Sequence, residues 1–267
     1  MIDADLVGQR FLVNVALPDQ TTIRLLADTG GGYHVDPDKV AGLPRFPLPD
    51  GSDGVRLPVD PPMPPGRDLA RLQAPPIDAD GITNAWWFPG HVWSFDYRTG
   101  VLQTLDTELT TGCPLGLLRS PQGDVASPFP RVEVIIDDEP ISLLLDTGAT
   151  IELTDAGRQV LGEPRFRASS FIVEDQFNRW RRLHPEWRVI EGASTIGNSA
   201  VIEVPRLTLG ETTLGSTWFE RRPNAAFHQH MSQWMDERID GALGASAFQQ
   251  RELIIDYRTG RVAVDPR

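Results

Sequence analysis

One cysteine, Cys113, is all that the 267 residues contain, so no disulfide can form within the chain and nothing in its cysteine usage marks an oxidising compartment. Cys113 lies in a Gly/Pro-rich stretch and reads as a spectator thiol. Basic residues are in deficit: the formal net charge is −12, which repels phosphate backbones and anionic lipid, so a nucleic-acid partner is not expected. No run reaches the roughly 18 apolar residues of a membrane span. The N-terminal stretch MIDADLVGQRFLVNV carries acids where a signal peptide needs bases. These absences lead to the expectation of a soluble cytoplasmic chain. Metal-ligand spacing is also lacking: His228 and His230 point to different faces of a helix and have no third ligand at a recognisable distance in sequence. Both are expected on the surface, with no metal and no cofactor.

The composition, 40% hydrophobic and 23% charged, is that of a folded protein, and the length allows one large domain or two smaller ones. Self-similarity decides for two. Residues 11–30 align without gaps on 129–148, each reading as a strand, a turn at Pro18-Asp19-Gln20 or Asp137-Asp138-Glu139, and an apolar strand ending in Asp-Thr-Gly. Asp36 with Pro37, and Thr154 with Asp155, follow as helix caps at equal distance from the motif. A closing match relates 80–106 to 240–265, each containing Asp-Tyr-Arg-Thr-Gly as a hairpin turn. The copies differ in between, and the second carries about 42 extra residues within 163–239. Part of that excess reads as a helix over 225–239, with Phe227, Met231, Trp234, Met235 and Ile239 on one face. Long helical periodicity is not evident elsewhere. Residues 44–76 are thick with proline and read as an extended surface loop.

The expected architecture is mainly β: two lobes related by a pseudo-twofold, each a small barrel or sheet with short helices. The first lobe spans 1–106, a connector 107–128, and the second lobe 129–267.

One Asp-Thr-Gly is a weak signal; two at equivalent places in a duplicated unit are a strong one. An Asp directly after an apolar strand, as at Leu25-Leu26-Ala27 and Leu143-Leu144-Leu145, holds a carboxylate at the end of a buried element. A glycine two positions later permits close backbone approach. If the pseudo-twofold brings Asp28 and Asp146 together, repulsion makes the pair share one proton, and the two can act as general base and general acid on a water and a carbonyl.

These motifs, Leu-Ala-Asp28-Thr29-Gly30-Gly31, Leu-Leu-Asp146-Thr147-Gly148-Ala149 and Asp-Gly-Ala242-Leu243-Gly244, resemble the pepsin and retropepsin group of aspartic peptidases, and more closely bacterial retropepsin-like proteins with two fused copies. The resemblance implies an acid-protease fold and an endopeptidase with Asp28 and Asp146 catalytic. It further implies that Thr29 and Thr147 brace the pair, that Gly30 and Gly148 shape the loops, and that a peptide or protein substrate lies in an interlobe cleft under a hairpin flap. A duplicated chain can assemble its site as a monomer. The alternative is an inactive peptide- or protein-binding module on the same fold; a two-carboxylate glycosidase is a more remote one. Three features depart from the family pattern: Asn84 stands where the second copy has Gly244, no hydroxyl residue follows either motif, and no tyrosine is placed for a pepsin-type flap. Trp86, Trp87 and Trp93 are expected in the core, and the Arg-rich stretch 180–188 as a solvated loop or flap base.

Overall fold

In a computed structural model that describes residues 1–16, 20–32, 34–35 and 78–265, the chain is built mainly of β-strands. Strands β1 (Ala4–Val7), β2 (Arg10–Ala16) and β3 (Thr22–Leu26) form an antiparallel meander. β5 (Gly81–Ile82) returns parallel to β3, and β4 (His34–Val35) flanks it, giving the order β1-β2-β3-β5-β4. The second half repeats this motif. β10 (Val125–Ile136) and β11 (Glu139–Asp146) make the hairpin, β20 (Gly241–Gly244) lies parallel to β11, and β14 (Ser170–Val173) is antiparallel to β20. That sheet grows outward through β19 (Thr217–Arg222), β16 (Val201–Val204) and β15 (Val189–Ile190) on one side. β17 (Leu207–Leu209) and β18 (Thr212–Leu214) extend the other side, and β9 (Gly116–Arg119) also pairs with β10. β12 (Thr150–Glu152) and β13 (Phe166–Ala168) pair separately.

A third sheet draws on both halves. The Asp-Tyr-Arg-Thr-Gly stretches are the turns of two hairpins, β6 (Val92–Asp96) with β7 (Val101–Leu105) and β21 (Glu252–Asp256) with β22 (Arg261–Val264). Gly100 and Gly260 supply the left-handed residue each turn needs, at φ 72° and 66°. β6 pairs antiparallel with β21, and β8 (Cys113–Pro114) adds to β22. Ser94 lies opposite Ile254, and each stands two positions before the Asp of its own turn motif. A residue facing its own counterpart places the pseudo-twofold axis there.

The register corrects the ungapped alignment of the two hairpins. Val13 pairs with Leu25, whereas Val132, not Arg131, pairs with Leu143. The first hairpin thus carries one more turn residue, and β2 matches β10 with a one-residue shift. That shift restores the alternation: Val13 and Val15, like Val132 and Val134, are buried, while Ala16 and Ile135 face outward. The second turn is tight, with Asp137 and Asp138 both at positive φ, as a two-residue hairpin requires. The turn at Pro18-Asp19, the cap at Asp36-Pro37, the proline-rich 44–76 and any flap of the first half lie outside the described residues.

Two helical expectations change. The segment expected as one helix over 225–239 is a wide-turned helix, Ala226–Met231, followed by a tight turn, Ser232–Trp234. Met235 is extended and the Ser232 hydroxyl accepts the Ile239 N–H at 2.9 Å, which ends the helix and swings Met235 and Ile239 into the core. Conversely, the stretch beginning at Trp180 is no loop at its start. It is the end of helix α2 (Glu174–Leu183), which follows α1 (Asp155–Leu161) in the chain. Phe177 and Trp180 bury one stripe of α2, acids open it and Arg181 with Arg182 close it, as its dipole favours. Thr154 caps α1 as expected, its hydroxyl accepting the Gly157 N–H.

The core joins the halves. Phe11, Phe95, Leu143 and Phe248 belong to one buried cluster, as do Trp87 and Trp93, while Trp86 stays partly exposed. Arg10 is fully buried between them. Its guanidinium pairs with Asp78 at 2.9 Å and donates to the Phe166 carbonyl at 2.9 Å and to Thr150 Oγ1 at 3.4 Å, in the second half. Burial pulls its pKa down and Asp78 holds it up. Removing one partner of a buried pair costs about 3–5 kcal/mol. Arg10→Ala is expected to lower the urea unfolding free energy by about that amount; a loss below about 1 kcal/mol would show that the strut is unimportant.

Candidate active site

β3 and β11 end in apolar, buried residues, Leu25 with Leu26 and Leu143 to Leu145, and buried Ala27 follows β3. Each is held between its hairpin partner and the parallel strand β5 or β20. Both run toward the pseudo-twofold and end there in Asp28 and Asp146, whose carboxyl groups hydrogen-bond to each other.

The Thr residues that follow cross between the halves. Thr29 Oγ1 donates to the Leu145 carbonyl at 2.6 Å and accepts the Thr147 N–H at 3.0 Å. Thr147 Oγ1 donates to the Ala27 carbonyl at 2.8 Å and accepts the Thr29 N–H at 3.2 Å. Four buried backbone groups are thereby satisfied by two hydroxyls of the opposite copy.

Glycine is required next for space, not for φ. Neither Gly30 nor Gly148 has a positive φ. A Cβ on Gly30 would stand 2.4 Å from Asp146 Cγ, and one on Gly148 would stand 2.2 Å from Asp28 Cγ. Each loop backbone therefore lies flat against the other copy's carboxyl. The Gly30 N–H donates to Asp28 Oδ1 at 2.9 Å and the Gly148 N–H to Asp146 Oδ1 at 3.0 Å, and the Gly31 and Ala149 N–H groups add to these.

Burial raises both carboxyls above the ordinary range, and Asp28 further, because the Asp146 charge and the hydrogen bond between them add to burial there. On Asp146 the hydrogen bond from Asp28 works the other way. Two carboxyls so placed titrate as one coupled pair, and repulsion keeps both from ionising easily.

The supporting loops are alike in path and unlike in detail. Leu25 faces Gly81 as Leu143 faces Gly241, so Thr83 corresponds to Leu243 and Asn84 to Gly244. A Cβ at Gly244 would meet the Ser169 carbonyl oxygen at 1.7 Å, so only glycine fits. At the matching place Asn84 is buried, with Oδ1 unpaired among the described residues. Thr83 Oγ1 accepts the Asp28 N–H at 3.0 Å, a contact with no hydroxyl counterpart in the second half. Sequence reasoning passed over Thr83, although the Gly-Ile-Thr against Gly-Ala-Leu mismatch between copies marks it. Below the loops the halves exchange aromatic contacts as well: Tyr97 stacks on Phe248 at 6.4 Å and Tyr257 on Phe88 at 6.2 Å. Behind β11, Phe227, Trp234, Met235 and Ile239 pack on Phe129 and Leu144, so the late helical insertion backs the site. His228 bonds Asp240 at 2.8 Å and His230 is exposed.

A solved aspartic proteinase from Irpex lacteus is similar over 98% of this chain and 96% of its own, at 13% identity and a TM-score of 0.46. No family model and no curated protein matches the sequence.

Two measurements check the geometry. Thr29→Ala strands the Thr147 N–H and the Leu145 carbonyl, and each stranded group costs about 1–3 kcal/mol. Denaturant unfolding should register a loss in that range, with Thr29→Ser losing much less; equal losses would refute the crossed bonds. For Asp28 the raised pKa means the folded state keeps its proton after the unfolded state has released it. Its contribution to stability is full below about pH 4 and falls as pH rises. Asp28→Asn should therefore gain stability over the parent as pH rises above about 4, and the two should converge below it. Parallel stability curves across pH would contradict the raised pKa.

Proposed function

We propose that the chain is an aspartic endopeptidase in which Asp28 and Asp146 hydrolyse peptide bonds through an activated water. The observation that carries the reading is the buried carboxyl pair, hydrogen-bonded across the pseudo-twofold and fixed by the crossed Thr29 and Thr147 bonds. One carboxyl of the pair, ionised, takes a proton from a water lying against both. The other, protonated, donates to the oxygen of the scissile carbonyl and stabilises the charge that develops there. Collapse of the tetrahedral intermediate returns a proton to the leaving amine. No covalent enzyme intermediate forms.

In this reading the acid-protease lobes are residues 1–106 and 129–267, joined by 107–128, which carries β8 and β9. The substrate is an extended peptide or an unfolded protein segment across the cleft between lobes, above Gly30, Gly148 and the carboxyls. Thr29, Gly30, Thr147 and Gly148 support the pair without touching the chemistry. Among the described residues no helix is long and apolar enough to cross a membrane.

Positioned acid-base groups contribute about 10²–10⁴-fold. Cleavage of a diverse peptide library should fall by at least about 10²-fold in both Asp28→Asn and Asp146→Asn. The rate profile should be bell-shaped in pH, since activity requires one proton on the pair. Its alkaline limb should lie above the ordinary carboxylate range because burial raises both groups. Undiminished cleavage by either variant would sink the proposal.

A further inference from the structure

The two Asp-Thr-Gly loops are not braced alike. Four positions past Asp146 stands Thr150, whereas the same place past Asp28 is Gly32, which has no side chain to offer. Thr150 is buried, and its Oγ1 donates to the Gly148 carbonyl at 2.8 Å. That carbonyl shares a peptide plane with the Ala149 N–H, which bonds the Asp146 carboxyl. The Gly148 N–H, on the preceding plane, donates to Asp146 Oδ1, and its Cα lies flush against the Asp28 carboxyl. Thr150 Oγ1 in turn accepts from Arg10 at 3.4 Å. Arg10 comes from the other half, on a hairpin docked against β13. The β1–β2 turn, Gly8-Gln9, has φ of 56° and 63°, and the Gly8 carbonyl accepts the Ala168 N–H at 2.8 Å. A Cβ on Gly8 would stand 2.7 Å from the Phe166 carbonyl oxygen, the same oxygen that accepts from Arg10.

We infer that Thr150, steadied by Arg10, is a positioning residue: it fixes the Gly148–Ala149 peptide so that the loop N–H groups stay on Asp146. The inference rests on the reading of Asp28 and Asp146 as a catalytic pair. A carboxylate that accepts N–H bonds is favoured in its charged form, and loosening them raises its proton affinity. Against the raising effect of burial, Asp146 has hydrogen bonds from Asp28, Gly148 and Ala149, all of which lower its pKa. Two of these three depend on the peptides that Thr150 tethers. Arg10 acts through Thr150 and not as a charge on the pair, because Asp78 pairs with its guanidinium at 2.9 Å. The buried phenols of Tyr97 and Tyr257, which feel Asp146 and Asp28 respectively, stay neutral with their pKa values pushed up.

Site-resolved NMR titration of the Asp carboxyl carbons reads this without requiring catalysis. In Thr150→Val, which keeps the shape and removes the hydroxyl, the Asp146 carbon should titrate about 0.5–1 pH unit higher than in the parent. Thr150→Ser, which keeps the hydroxyl, should stay close to the parent. For one peptide that the parent cleaves, Thr150→Val should lower kcat several-fold with KM unchanged and move the acid limb of the rate profile upward. An unshifted titration in Thr150→Val, or an equal shift in Thr150→Ser, overturns the inference. Absence of cleavage by the parent overturns the proposed function alone, and the titration still decides the positioning. Far-ultraviolet circular dichroism checks that each variant is folded.

Discussion

Two carboxyl groups buried against each other are an unfavourable contact on their own, and the loops, hydroxyls and strands around them hold them in place. Left to themselves, Asp28 and Asp146 would separate or neutralise fully. They are held by backbone: N–H groups from the two residues beyond each Asp-Thr, and loops that the Thr29 and Thr147 hydroxyls tie across the axis. Gly30 and Gly148 let those loops come flush with the opposite carboxyl.

The same exchange between halves recurs at each level below the carboxyls. Hydroxyls cross at the threonines, rings cross from Tyr97 to Phe248 and from Tyr257 to Phe88, and strands cross at Ser94 and Ile254. Neither half could complete its own loop, because each crossed bond takes its second atom from the other copy. The stability of the halves and the geometry of the carboxyl pair are therefore one property. Arg10, reaching from the first hairpin to β13, adds a polar strut to the same joint.

What the sequence disclosed follows from where local pattern and tertiary demand agree. Asp-Thr-Gly and Asp-Tyr-Arg-Thr-Gly appear twice because the crossed bonds and the shared sheet need identical residues on both sides, so the meeting of Asp28 with Asp146 was legible. The registry of β2 against β10 was not, since the extra residue sits in a turn and an ungapped match hides it; only the burial of Val13 with Val132 reveals it. Helix α2 was missed because Phe177 and Trp180 are its only buried side chains, too few to make a periodic signal. The helix at 225–239 was overextended because Met235 and Ile239 are buried by a change of direction, not by a continued helical face. Thr83 owes its significance to Asp28, far away in sequence, which no spacing rule reports.

The shared proton is the property on which the functional account turns. Site-resolved NMR titration of the Asp28 and Asp146 carboxyl carbons measures it directly. The account predicts that the pair gives up its second proton well above the ordinary carboxylate range of about 4, with both carbons responding to the same step. Independent titration of both carbons near that ordinary value would contradict it.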